Sequence, residues 1–190
     1  MRVELDQVTL DVTDSGTGPA VLLVHGFPDT RACWRRQVSA LNAAGYRTIA
    51  PDLRGFGGSS RPDGTAAYNP AHSVSDLLQL LDRLEVERVH LVGHDWGSGI
   101  VQQLAMAAPD RAASLTLLSV GHLGAMRDAG WEQRRWSWYM LLFQHEGLAE
   151  EWLSRDGFAR AREFLAEHPD ADEVIARLAD PAALTAALAI

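Results

Sequence analysis

An apolar run, a tight turn bounded by glycines and a helix-like stretch follow one another in the middle of this 190-residue chain. The three segments are Val89–Val92, Gly93–Gly97 with the sequence GHDWG, and Ser98–Ala108. A strand, a turn of the pattern G-x-S-x-G and a helix form a nucleophile elbow, which exposes one side chain above the end of a sheet. Glycines suit this turn because it is too tight for neighbouring Cβ atoms. Asp95 occupies the serine position, and a carboxylate there would attack carbon and form an ester.

Apolar runs and helix-like stretches alternate along the chain up to Val120. Ala20–Val24 is continuously apolar, as expected of a strand that is buried on both faces. The other predicted strands are Val3–Leu5 and Val8–Val12, which form an antiparallel opening, then Arg47–Ala50, Val89–Val92 and Leu115–Val120. The predicted helices between them are Arg31–Ala44, Ser73–Leu84 and Ser98–Ala108. This alternation predicts an α/β fold, in which helices cover both faces of a mostly parallel sheet.

The pattern changes after Gly121, where strand-like runs give way to helix formers and aromatic residues. The aromatic residues include Trp131, Trp136, Trp138, Tyr139 and Phe143, and further helical stretches are expected at Glu150–Leu153, Phe158–Glu167 and Val174–Leu178. We therefore divide the chain into an α/β core over residues 1–121 and a helical module, or cap, over residues 122–190.

Composition excludes several classes of function. The net charge of −8 leaves no basic stripe that could neutralise phosphates, so a nucleic-acid partner is not expected. The single cysteine, Cys33, rules out an internal disulfide and a multi-cysteine metal site, and the histidines outside the turn lack ligand spacing. We therefore expect neither a metal nor a cofactor. Charges at the start of the chain do not fit a signal peptide, and no apolar run could cross a bilayer, so we expect a cytoplasmic protein with no membrane partner.

Several motifs occur in the order typical of one enzyme family. His25–Asp29 is similar to the HGFP oxyanion motif, residues 50–60 resemble the loop after the fourth strand, and Ala108–Arg111 resembles the PERV segment. The segment Trp138–Gln144 resembles the cap helix of epoxide hydrolases, in which a tyrosine precedes a Phe-Gln pair. With the elbow, these motifs make the chain resemble the epoxide hydrolase and haloalkane dehalogenase branch of the α/β-hydrolases. The resemblance implies an α/β-hydrolase fold with a helical cap, and hydrolysis of a small-molecule epoxide or halide.

The resemblance also implies roles for individual residues. Asp95 would be the nucleophile, and the backbone N–H groups of Phe27 and Trp96 would form the oxyanion hole. Tyr139 is the candidate general acid, because opening an epoxide leaves an alkoxide that a phenol can protonate. The alternative is that Tyr139 only packs among the cap aromatics. The indole of Trp96 would either bind a departing halide or form an apolar wall of the pocket.

Three further residues are predicted to line the substrate pocket, namely His25, Pro28 and Trp138. His25 lies in the oxyanion loop and His94 inside the elbow, with His94 expected to face away from the pocket. Both are interpreted as hydrogen-bonded structural histidines that stand beside the chemistry without performing it.

The end of the chain departs from the family pattern. Full-length relatives carry a second acid after a later strand and a histidine after the last one, and this histidine activates the water that hydrolyses the ester. No strand-like run follows Val120, and Pro181–Ile190 is an apolar run without a glycine or a polar cap. We therefore expect the N-terminal part of a longer hydrolase, with C-terminal strands missing, an unpaired edge at Leu115–Val120 and an incomplete cap. Such a chain would perform at most the ester-forming half of the reaction, unless a C-terminal fragment or a homodimer completes it.

Two other functions remain open at this point. Haloalkane dehalogenases commonly place a halide-binding asparagine where Phe27 stands, and the side chain of Phe27 has no donor, which favours epoxides. The chain could instead be a non-catalytic scaffold or one half of a split enzyme. The absent histidine supports that interpretation, while the intact elbow and oxyanion loop argue against it.

Overall fold

A six-stranded mixed sheet forms the centre of the computed structural model. The structure describes the backbone of residues 1–190 and every side chain except those of Met126 and Arg127. The strands are β1 (Arg2–Glu4), β2 (Thr9–Ser15), β3 (Ala20–Val24), β4 (Arg47–Pro51), β5 (Val89–His94) and β6 (Ala112–Leu118). Their spatial order is β1-β2-β4-β3-β5-β6. The pairs β1–β2 and β2–β4 are antiparallel, and the remaining pairs are parallel, so the antiparallel opening and the mostly parallel sheet are confirmed.

Helices connect the parallel strands and follow the sheet. Those in the first part are α1 (Arg35–Ala43), α2 (Pro70–Arg83) and α3 (Trp96–Ala107). Those after the sheet are α4 (Leu123–Asp128), α5 (Trp131–Trp136), α6 (Trp138–Phe143), α7 (Leu148–Phe164), α8 (Ala171–Leu178) and α9 (Pro181–Leu188). Local sequence sets some of these boundaries: α2 starts with a proline, and the side chain of Asn69 accepts the Ala71 N–H at 2.9 Å.

Alternating side chains of β3 enter two separate hydrophobic clusters. Leu22 and Val24 belong to the larger cluster, together with the buried faces of α2 and α3. Val21 and Leu23 belong to the smaller cluster, with Trp34 and the apolar side chains of α1. Because successive residues of a strand point to opposite faces, helices cover both faces of the sheet. This arrangement confirms the predicted α/β fold.

Several predicted boundaries differ from the observed ones by a few residues; strand β6, for example, covers Ala112–Leu118 where the sequence predicts Leu115–Val120. The helix predicted from Arg31 begins with a 3₁₀ turn over Arg31–Trp34 and becomes an α-helix at Arg35. Strand β2 continues through Asp14 and Ser15, beyond its predicted end at Val12. It continues because these residues pair with β4, and the carboxylate of Asp14 accepts hydrogen bonds of 2.7 and 2.9 Å from Arg47.

The long helix α7 contains a break. Residues 155–158 leave the helical conformation, and Asp156, Gly157 and Phe158 all have positive φ. The break separates the two stretches that the sequence predicts as distinct helices. The second part of α7 ends at Phe164 and leads into the loop before α8.

The described backbone after β6 is helical, and β6 forms one edge of the sheet. Leu115 and Leu118 of this strand are each 40% exposed. Helix α9 buries most of its apolar side chains, and its N-terminus is capped by Asp180, which accepts the Ala182 N–H at 3.1 Å. Buried residues of α7, α8 and α9 join the larger cluster around the sheet. Within the residues described, no helix is both long and apolar enough to cross a membrane.

Candidate active site

The turn between β5 and α3 holds Asp95 in a strained conformation. Asp95 has φ 53° and ψ −123°, which is uncommon for a residue with a side chain and costs roughly 1–3 kcal/mol. A Cβ at Gly97 would overlap the carbonyl oxygen of Val24, and a Cβ at Gly93 would overlap the carbonyl group of Gly97. The turn therefore requires glycine at both flanking positions, as the sequence pattern predicts.

Buried polar side chains of α3 hold this turn against β6 and the segment that leads into α4. The hydroxyl of Ser98 lies 2.7 Å from the Gly93 carbonyl oxygen and accepts the Leu118 N–H at 3.2 Å. The Gln102 side chain accepts the Leu123 N–H at 2.9 Å and donates to the Gly121 carbonyl at 3.1 Å. Sequence reasoning missed Ser98 and Gln102. Both are polar residues in a largely apolar helix, and this pattern could have identified them, because buried polar side chains need hydrogen-bond partners.

The carboxylate of Asp95 lies beside the loop that follows β3. The backbone N–H of Phe27 donates to Oδ1 of Asp95 at 2.9 Å. Burial raises the pKa of Asp95, while the backbone N–H groups of Trp96 and Phe27 favour its charged form. Gly26 permits this approach, because a Cβ there would lie 2.6 Å from the Trp96 nitrogen. The structure thus brings together the predicted nucleophile and the two predicted oxyanion residues.

A cavity of about 710 Å³ opens above this carboxylate. Such a volume is within the range of small-molecule sites. Its walls come from the loop after β3, the elbow and the helical part of the chain, and they include Phe27, Pro28, Asp95, Trp96, Tyr139 and Phe143. The predicted pocket residue Pro28 therefore lies on the cavity wall.

Tyr139 of α6 lies on the same wall, packed among aromatic rings. Its ring centroid lies 5.5 Å from that of Phe143 and 5.2 Å from that of Phe164. Burial and the nearby charge of Asp95 both raise the pKa of Tyr139, so its hydroxyl is protonated at neutral pH. Tyr139 thus packs among aromatic rings and also lies close enough to Asp95 for that charge to raise the pKa of its hydroxyl.

Two predicted pocket residues lie elsewhere. His25 is completely buried and is not part of the cavity lining: its Nε2 accepts the Leu53 N–H at 3.0 Å, and its Nδ1 lies 3.0 Å from the Gly26 carbonyl oxygen. Burial lowers the pKa of His25, which favours a neutral ring that links two loops. Trp138 is not part of the cavity lining either: its side chain is 50% exposed and packs edge-on against Trp152. Both placements correct the predicted pocket.

The predicted position of His94 is also wrong. It was expected to face away from the pocket, but it is part of the cavity lining. As the last residue of β5, it lies at the same end of the sheet as the elbow.

Sequence reasoning also missed a contact between the loop after β3 and the loop before α8. Oδ1 of Asp29 lies 3.3 Å from Nε2 of His168, and both residues line the cavity. Nδ1 of His168 accepts the Asp170 N–H at 3.1 Å, and the carboxylate of Asp170 pairs with both terminal nitrogens of Arg35 at 2.7 and 2.8 Å. No local spacing could have linked residues so far apart in the chain.

The thiol of Cys33 also belongs to the cavity wall. Burial raises its pKa to about 12, with the negative charge of Asp29 as a further cause. The thiol is therefore not a nucleophile at neutral pH. Among the side chains that the structure describes, no group of three or more His, Cys, Asp or Glu residues could hold a metal ion.

Comparisons with known proteins agree on one family. A family model for the alpha/beta hydrolase fold matches residues 19–168. An epoxide hydrolase from Caballeronia sordidicola is 50% identical over 60% of this chain and 34% of its own length. Epoxide hydrolase A from Mycobacterium tuberculosis is 36% identical over 97% of this chain and 64% of its own length. The chain therefore spans about one third to two thirds of the length of these curated relatives.

Solved structures give the same result over the whole chain. The crystal structure of epoxide hydrolase A from Mycobacterium thermoresistibile superimposes with a TM-score of 0.83 and 30% identity, covering 100% of this chain and 72% of that one. An epoxide hydrolase from Vigna radiata superimposes with a TM-score of 0.84 and 29% identity, covering 100% of this chain and 69% of that one.

Proposed function

The chain belongs to the α/β-hydrolase fold family and is epoxide hydrolase-like, and from this premise we propose that Asp95 is its nucleophile. Asp95 carries the proposal because it is a carboxylate on a strained turn, at the wall of a cavity of small-molecule size. The hydrogen bond from Phe27 restricts rotation of the carboxylate. A positioned nucleophile of this kind converts a bimolecular attack into an effectively unimolecular one.

The first step is the formation of an ester. A carboxylate oxygen of Asp95 bonds to one epoxide carbon, the bond between that carbon and the ring oxygen breaks, and its electron pair goes to the ring oxygen. The hydroxyl of Tyr139 donates its proton to this oxygen. In support, Tyr139 shares the cavity with Asp95, and its raised pKa keeps the proton available.

The second step is the attack of water on the ester carbonyl. The backbone N–H groups of Phe27 and Trp96 would stabilise the resulting oxyanion. Attack also needs a base, and His168 is poorly suited because both of its ring nitrogens are engaged, by Asp29 and by the Asp170 N–H. We therefore propose that these residues supply the ester-forming half of the reaction and that the water-activating histidine and its acid are not among them.

Mass spectrometry tests this proposal directly. Incubation with a terminal epoxide is expected to add the mass of one epoxide, and peptide mapping is expected to locate it on Asp95. The Asp95→Asn variant should remain unlabelled, while Asp110→Asn, which alters an exposed carboxylate outside the cavity, should label like the wild type. Labelling that survives in Asp95→Asn would contradict the nucleophile. Sustained diol production by the purified chain would contradict the missing second step.

One observation favours the dehalogenase alternative. Trp96 lines the cavity, where its indole N–H could meet a departing halide. Phe27 lies in the same wall but offers no side-chain donor to share that task. Release of bromide from a bromoalkane, with the alkyl group left on Asp95, would favour the dehalogenase; an adduct from the epoxide alone would favour the epoxide hydrolase.

A further inference from the structure

Four aromatic rings form a continuous wall on one side of the cavity. The ring centroid of Phe27 lies 5.2 Å from that of Phe143, which lies 5.5 Å from Tyr139 and 6.1 Å from Phe164. The Tyr139 and Phe164 centroids are 5.2 Å apart, which closes the set. All four residues line the cavity that contains Asp95. We call this set the aromatic wall.

One end of the aromatic wall lies close to Asp95, the proposed nucleophile. Phe27 contacts Asp95 through its backbone N–H, and Tyr139 is close enough for the charge of Asp95 to act on its hydroxyl. An epoxide held between Asp95 and Tyr139 would therefore place its substituent against Phe143 and Phe164. The substituent, rather than the epoxide ring, is what the aromatic wall would recognise.

The rings are inclined to one another rather than stacked. The angles between their planes are 58° and 59° for the pairs of Phe143 with Phe27 and with Tyr139, and 63° and 68° for the pairs of Phe164 with Phe143 and with Tyr139. Inclined rings present both electron-rich faces and electron-poor edges to an occupant of the cavity. An arene can match both because it has the same quadrupole, whereas a saturated ring of equal size gains only apolar contact.

We propose, building on the epoxide hydrolase-like function above, that the substrate is an epoxide with an aryl substituent and that Phe164 determines this preference. Phe27 and Phe143 pack against the hydrophobic core, so their rings also support the fold. Phe164 closes the end of α7 and is 37% exposed, which leaves its ring free to contact a substrate. Its removal should therefore change selectivity more than stability.

The test compares phenyloxirane with cyclohexyloxirane, which have the same carbon skeleton and differ in the arene. The rate at which each labels Asp95 is measured by intact mass for the wild type and for Phe164→Leu. Intrinsic reactivity cancels when the phenyl-to-cyclohexyl ratio of the variant is divided by that of the wild type. We expect Phe164→Leu to lower this ratio about 2- to 10-fold, the value of an aromatic contact. Trp136→Leu, which removes an exposed cap aromatic outside the cavity, should leave the ratio unchanged.

A second measurement uses the wild type alone and does not depend on the folding of a variant. Benzyl alcohol should slow the labelling of Asp95 at a lower concentration than cyclohexylmethanol does. Equal inhibition by the two alcohols, or an unchanged ratio in a folded Phe164→Leu variant, would overturn the aryl preference while labelling of Asp95 persists. Failure of both epoxides to label wild-type Asp95 would overturn the proposed function itself.

Discussion

The backbone N–H of Phe27 donates a 2.9 Å hydrogen bond to Oδ1 of Asp95, although 68 positions separate the two residues in the chain. This contact joins the loop after β3 to the elbow after β5, two strands that pair directly in the sheet. The N–H group that would stabilise the oxyanion of the proposed second step thus also orients the carboxylate that we propose as the nucleophile of the first. Because parallel strands bring their carboxyl ends to one edge, the sheet itself creates this pairing.

Replacing Asp95 with asparagine is expected to stabilise the fold at neutral pH. The pKa of Asp95 is raised above its ordinary value of 3.8 by burial, so the folded state binds its proton more tightly than the unfolded state does. Ionisation therefore costs stability, and this cost grows as the pH rises from about 4 through the raised pKa. Asparagine avoids the charge and has nearly the same shape as aspartate, so the backbone strain of the turn should be similar in the two proteins.

Thermal unfolding of the wild type and Asp95→Asn as a function of pH measures this effect. The variant should melt a few degrees higher at pH 7, and the difference should shrink as the pH falls towards 4. Asp110→Asn, at an exposed position, should show no such trend. A variant less stable than the wild type at pH 7 would contradict the unfavourable burial of this charge.

Replacing Tyr139 with phenylalanine is expected to slow ester formation by about 100-fold or more, because the alkoxide loses its proton donor. The ring contacts with Phe143 and Phe164 do not involve the hydroxyl, so the fold should be retained. The labelling rate of Asp95 and the circular dichroism spectrum measure the two effects. A rate within a few-fold of the wild type would mean that Tyr139 only packs.

Local sequence patterns predict the parts of the site that local structure creates. The elbow places Asp95 and Trp96 through its own backbone, so both were identifiable from the turn, whereas Phe27 was identified through the similarity of His25–Asp29 to a family motif. The buried run Ala20–Val24 became β3 without change in its bounds. Turns such as the elbow can be predicted from a sequence because strict steric requirements within a few residues restrict which amino acids occur there.

Contacts that depend on tertiary packing were not predictable. The Asp29–His168 contact joins the core to a loop before α8 and follows no spacing rule. His25 was expected on the pocket wall but is buried between two loops, because the Leu53 N–H needs its ring as an acceptor. The side chain of Trp138 packs against Trp152 instead of lining the cavity. In each case the partner lies in another element or loop, and its position depends on tertiary packing.

The thiol of Cys33 is expected to resist alkylation in the folded protein. Its pKa of about 12 leaves almost no thiolate at pH 8, although the residue lines the cavity. Iodoacetamide should modify the chain at a negligible rate at pH 8 and rapidly in denaturant, where the pKa returns to an ordinary value near 8.5. Intact mass after timed quenching measures both rates. Fast modification of the folded chain would show that the thiol is solvated.

Replacing Gly97 with alanine is expected to destabilise the fold by about 2–4 kcal/mol. The added Cβ would overlap the carbonyl oxygen of Val24, which is a buried backbone atom and cannot move aside as a flexible side chain would.

Gly130→Ala is the matched control, because a Cβ there would meet nothing within 4 Å. Its φ of −72° also suits alanine. Urea unfolding should separate the two variants clearly, with Gly130→Ala within about 1 kcal/mol of the wild type. Equal stability of the two variants would mean that the elbow relaxes around the extra methyl group, and the strict need for glycine at this position would be wrong.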